Sequence, residues 1–118
     1  MILATGCPDA AAAAFGYSDP SKDERGGSWI CWYVRRVGEY QLGIGVVEIP
    51  ADPGDEWAGA EALSWPGADA AYIDDDRTSA SGPCFALDIV VGKHSLRVVG
   101  GTSRDETIAI AKKVLSVG

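Results

Sequence analysis

The chain has 118 residues and a mass of 12.3 kDa, room for one domain spanning 1–118. Hydrophobic residues make up 47% and charged residues 23%, the composition of a packed globular domain rather than a disordered or fibrous one. Ten Lys and Arg against 17 Asp and Glu leave a formal charge of -7, which argues against a basic face for nucleic-acid backbones, and no apolar run approaches the ~20 residues of a membrane-spanning helix.

In chain order, Pro8-Asp9 followed by Ala10 to Phe15 predicts a short helix, because Pro and Asp suit a first turn and Ala has the highest helix propensity. Gly16 is its C-cap. Residues 17–27, rich in Ser, Asp, Gly and charge, predict an exposed loop. Ser28 to Val34 is β-branched and aromatic and predicts a strand. A turn at Gly38-Glu39 leads to a partner strand from Tyr40 to Ile49. In that strand Leu42, Ile44 and Val46 alternate with Gln41, Gly43 and Gly45, so one face is apolar and the other nearly bare. Two glycines on one strand face imply that something bulky packs across them, and Trp29 or Trp32 is available.

Asp52 to Leu63 reads as a second helix, Pro66-Gly67 as a turn and Ala70 to Ile73 as a short strand. Asp74-Asp75-Asp76 and the residues to Pro83 predict a polar loop. Cys84 to Val91 is a strand with Phe85, Leu87, Ile89 and Val91 on one face; a tight turn at Gly92-Lys93-His94 returns it as Ser95 to Val99. The capping box Ser103-Arg104-Asp105-Glu106 opens a final helix whose apolar stripe is Ile108, Ala111, Val114 and Leu115. The predicted fold is α+β: an antiparallel sheet of two hairpins packed against N-terminal and C-terminal helices.

The chemistry-bearing residues are few. Cys7, Cys31 and Cys84 have no Cys-x-x-Cys spacing, and His94 is the single histidine, so a zinc site would need all four together and no metal is expected. The acidic run at 74–76 lacks the alternation, central Gly and closing Glu of a calcium loop. His94 sits at a hairpin tip without a nearby nucleophile, no Gly-x-Ser-x-Gly elbow occurs, and no carboxylate pair stands out, so neither an enzyme nor a catalytic residue is expected. Gly26-Gly27-Ser28 and Gly100-Gly101-Thr102 continue into neither phosphate-loop nor dinucleotide patterns, and no cofactor is expected. Four tryptophans are many for this length, and Trp29, Trp32, Trp57 and Trp65 are the candidate contacts for a ligand or partner. Trp29 and Trp32, three apart on one strand, face opposite sides of the sheet, so only one of them enters the core.

Leu3-Ala4-Thr5-Gly6-Cys7 is similar to the small-residue run before a lipidated cysteine, without a positive or apolar leader ahead of it. Two origins remain open: a native cytoplasmic start, or a start that follows a removed leader. The short helix ending Ala13-Ala14-Phe15-Gly16, the strand pair Cys31-Trp32, the segment Pro66-Gly67-Ala68-Asp69-Ala70-Ala71-Tyr72, the hairpin at Gly92 and the closing helix Glu106 to Leu115 together resemble the small secreted lipoproteins of unknown function common in actinobacteria. They resemble more loosely the extracellular sensor domains of mycobacterial receptor kinases. The absence of Asn and the abundance of Ala and Gly fit a high-GC genome. This resemblance implies an extracytoplasmic, cell-envelope location, disulfide bonding and a lipid anchor on the precursor, and it carries over no catalytic residue.

Three cysteines allow three pairings, and Cys31–Cys84 is the expected one because both residues open strands. Closing so long a loop would contribute on the order of 4 kcal/mol in the chain-entropy model. The expected function is a non-enzymatic envelope domain that binds a partner protein or small ligand. The alternative is a cytoplasmic acidic protein of the immunity or inhibitor type, steered by charge onto a basic enzyme, with Asp74 to Asp76 in the interface.

Overall fold

A computed structural model of the chain describes residues 6–35, 40–49, 60–76, 84–100 and 103–117. Seven strands form one antiparallel sheet: β1 (Ser18–Arg25), β2 (Ser28–Arg35), β3 (Tyr40–Glu48), β4 (Glu61–Ala62), β5 (Ala70–Asp76), β6 (Cys84–Val91) and β7 (His94–Gly100). Helix α1 (Asp9–Ala13) precedes the sheet and α2 (Arg104–Val117) follows it. The spatial order β1-β2-β3-β7-β6-β5-β4 joins two meanders, β1 to β3 and β4 to β7, through the pairing of β3 with β7.

The alternation that predicts β3 and β6 decides which face is buried. Leu42, Ile44 and Val46 lie level with Gly100, Val98 and Leu96, and Leu87 and Ile89 flank Val98 and Leu96 on the other side. These side chains form the core with Ala11 and Ala12 of α1 and Ile110, Ala111 and Val114 of α2. Both helices therefore cover one face. The α2 stripe includes Ile110 at its centre, while Ile108 and Leu115 sit half-buried at its margins. The cap forms as its sequence implies: the Glu106 amide donates to Ser103 Oγ at 3.1 Å. Thr107, fully buried, donates to the Gly100 carbonyl at 3.1 Å and so ties α2 to the end of β7.

Helix α1 is too short to stand alone and is held by tertiary bonds. Its C-cap is Ala14 rather than the expected Gly16, and the chain turns away at Gly16, whose φ of 85° is open to glycine, as the Tyr17 amide returns to the Ala12 carbonyl at 3.1 Å. Three successive core-facing residues of β2 grip this segment. Cys31, with no exposed surface, forms a disulfide with Cys7. The Tyr33 hydroxyl donates to Asp9 Oδ1 at 2.8 Å. Arg35 donates to the Phe15 carbonyl at 3.3 Å, lies 4.7 Å over the Tyr17 ring, and approaches Glu106 of α2 at 3.5 Å.

Several expectations are corrected. The cysteine bridge is Cys7–Cys31, not Cys31–Cys84. Strands β3 and β7 separate β2 from β6, so Cys31 and Cys84 stand three strand spacings apart, about 14 Å, against the ~7 Å limit for a disulfide. A bridge spanning 24 positions contributes roughly 3–4 kcal/mol in the chain-entropy model.

Residues 18–25, expected as loop, are the edge strand β1. Its composition is polar throughout, and backbone pairing with β2 makes it a strand. Pro20, Asp19 with φ 57° and a register break between Ser18 and Ser21 interrupt the edge, which protects it from pairing with another chain. Glu61 and Ala62, expected in a helix, form β4 against Tyr72 and Ile73. Asp74 to Asp76, expected in a loop, continue β5 opposite Cys84 to Ala86. The sheet thus has seven strands, β1 and β4 joining the two expected hairpins and the expected short strand at 70–73. The turn at 38–39, most of the expected helix at 52–63 and Trp57 lie outside the described residues.

Burial, then the hydrogen bond to Asp9 and its negative charge, push the Tyr33 hydroxyl well above its ordinary value near 10. Because the folded state holds the proton more tightly, the associated stability is complete below pH 10 and is lost as pH rises through the folded pKa. In a spectrophotometric titration the Tyr33 phenol should therefore ionise late, together with alkaline unfolding. Tyr33→Phe should remove that late amplitude; titrations in which the variant and the wild type differ only by a phenol ionising near 10 would contradict the burial of this hydroxyl against Asp9.

Candidate functional site

The second face of the sheet, opposite the two helices, is built from the alternate residues of the same strands. Register places two rows across it. One runs Asp23, Ile30, Gly45, Arg97, Asp88, Tyr72; the next runs Ser21, Trp32, Gly43, Val99, Ala86, Asp74. The middle of both rows is a glycine, so β3 forms the floor of a trough across the sheet.

Both glycines leave room that β2 fills, Gly43 with side chains and Gly45 with backbone. A Cβ on Gly43 would lie 2.7 Å from Trp32 Cζ3 and 3.0 Å from Ile30 Cδ1. A Cβ on Gly45 would fall against the Trp29 carbonyl and the Ile30 backbone. The Trp32 indole therefore lies across Gly43 and is 38% exposed, the exposed large hydrophobic residue of the described chain. Trp29 points to the opposite face, half-buried against the core, with the Lys22 ammonium 5.7 Å from its ring centre.

Beyond the glycine floor stands a buried polar group. Asp88, 6% exposed, and Ser95, with no exposed surface, lie on this face. Asp88 Oδ1 accepts from Ser95 Oγ at 3.0 Å and from Arg97 Nε at 2.9 Å. A carboxylate taken out of water is costly unless hydrogen-bonded, and here a hydroxyl and a guanidinium supply that bonding. Arg97 sits level with Asp88 on one side and with Gly45 on the other, where no side chain intervenes. Asp23, Ser28, Trp29, Ile30, Val47 and Arg97 line a shallow depression of about 290 Å³ at this end of the trough. Apolar walls with one acid and one base at the rim suit recognition of a surface or small molecule.

The structure does not gather the three described tryptophans into one site. Trp32 is on the second face, Trp29 on the core face, and Trp65 is half-buried near α2. Trp57 is outside the described residues. His94 opens β7, half-buried, level with Val91 and Glu48. Among the described residues no three of His, Cys, Asp and Glu come together as a metal site, and no helix is long and apolar enough to cross a membrane. The Asp88–Ser95–Arg97 group is the element that sequence reasoning missed. Its signal was present: a two-residue turn at Gly92-Lys93 fixes the hairpin register and sets Asp88 opposite Arg97 inside two otherwise apolar strands.

Comparison of the chain with protein-family models, with curated proteins and with solved structures finds no match to any of them.

Gly43→Ala tests the platform under Trp32. The added methyl must displace the indole or part β2 from β3, at a cost of about 1–3 kcal/mol for overpacking. Urea unfolding should show that loss, with tryptophan emission shifted to the red; unchanged stability and emission would mean that Trp32 does not rest on Gly43.

Proposed function

We propose that the chain is a non-enzymatic domain of the cell envelope that binds a partner protein or small ligand through the second face of its sheet. The observation that carries this reading is Trp32, held partly exposed on a side-chain-free floor beside the depression at Arg97. Aromatic residues anchored on rigid strands make strong contacts, because little conformational entropy is lost when they bind. The disulfide is compatible with an extracytoplasmic location, where such bonds persist. The resemblance to small secreted lipoproteins points to the same compartment.

A specific observation favours the alternative, a cytoplasmic acidic inhibitor of a basic enzyme. The net charge is -7, and exposed Asp23 and Asp74 stand at opposite ends of the second face. Salt separates the two, since charge-steered association weakens above roughly 0.3 M salt, where the Debye length falls to about 6 Å.

The test places a photoreactive phenylalanine at Val34 or Gln41, on the second face, and at Asp105, in the first turn of α2. Irradiation of the producing cells should give an adduct of defined mass from the sheet-face positions and none from 105. Adducts that persist at high salt support the envelope reading, and adducts lost with salt support the inhibitor. Equal labelling from all three positions would overturn the assignment of the second face.

A further inference from the structure

On the opposite, helix-bearing side, the segment after β4 and the last turns of α2 enclose a groove of about 400 Å³. Ser64, Trp65, Pro66, Lys112 and Leu115 line it. Trp65 and Leu115 are half-buried and pack against the core, so the floor is a fixed apolar surface rather than a pair of loose side chains. Lys112 and Leu115, three apart on α2, share one side of the helix and place a cation beside that floor. Lys112 is exposed and has no ion pair among the described residues.

Charge makes the pairing selective. The chain is acidic overall, and the acids of α2, Asp105 and Glu106, stand in its first turn, about 9 Å along the axis from Lys112. An apolar floor with a cation at its margin is complementary to a molecule with an apolar body and an anionic head. The volume holds about a dozen non-hydrogen atoms at the ~30 Å³ that each occupies in a liquid.

We propose that this groove binds a small amphipathic carboxylate, its aliphatic chain against Trp65, Pro66 and Leu115 and its head on Lys112. The site is separate from the sheet-face contact and does not depend on it. Ser64 at the rim offers a hydroxyl to the same head. Because the groove is open, a monomeric ligand is held by one side and keeps its far side in water, so the affinity is modest and depends on the ion pair.

Titration with decanoate, kept monomeric, tests this through tryptophan emission and through the methyl resonances of Leu115. Decanoate should give a saturable change in both, while decanol and decyltrimethylammonium bind at least about tenfold more weakly, the factor of one charge contact worth 1.4 kcal/mol. Lys112→Glu, an exposed substitution, should weaken decanoate by a similar factor and leave thermal unfolding unchanged. Trp65→Phe should remove the emission change while the Leu115 shifts persist. Equal binding of the cationic and anionic chains, an undiminished affinity in Lys112→Glu, or no saturable change at Leu115 would each overturn the site.

Discussion

The two sides of β2 are the constraint on which the rest of the molecule depends. Cys31, Tyr33 and Arg35 point to the core and hold the N-terminal segment by a covalent bond, a hydrogen bond to a carboxylate and a cation stacked on an aromatic ring. Ile30 and Trp32, the residues between and beside them, point the other way and form the second face. A slip of one residue would exchange the two sets, turning Trp32 into the core and Cys31 out of it. The disulfide forbids that slip, because it admits one face of β2 only. The bond that closes the core therefore also fixes the orientation of Trp32.

The second consequence is a division of labour between faces. The helix side is apolar and carries the stabilising contacts, from Leu42 and Ile44 through Leu96 and Val98 to Ile110. The other side holds two glycines, one partly exposed indole and the buried Asp88–Ser95–Arg97 group. That polar group is the kind of feature that specifies pairing more than it adds stability, since an ion pair removed from water gains little net energy. Placed directly across the β6–β7 hairpin, it also penalises any register in which the carboxylate meets an apolar neighbour.

Much of this architecture was legible in the sequence. Strands β2, β3, β6 and β7 and helix α2 announce themselves by alternation and by the Ser103 cap, and the bulky neighbour implied by the glycines proves to be Trp32 at Gly43, while Gly45 meets Ile30 and the Trp29 carbonyl. The opposite facing of Trp29 and Trp32 also follows from their spacing. Strand β1 was not legible, because Ser18 to Arg25 has a loop composition and becomes a strand only through backbone bonds to β2. The cysteine pairing was not legible either. Cys31 lies inside β2 and Cys84 opens β6, and only the docking of β3 on β7 sets them apart. The groove at Trp65 depends on where the segment after β4 meets α2, a distance that no local pattern encodes.

The account stands or falls on the covalent hold on β2. Proteolysis of the oxidised, unreduced protein followed by mass spectrometry of the linked peptides tests it most directly. The structure requires one linked pair joining the peptide of Cys7 to that of Cys31. A Cys31–Cys84 linkage, or three free thiols in protein isolated without reductant, would contradict it and with it the fixed orientation of Trp32.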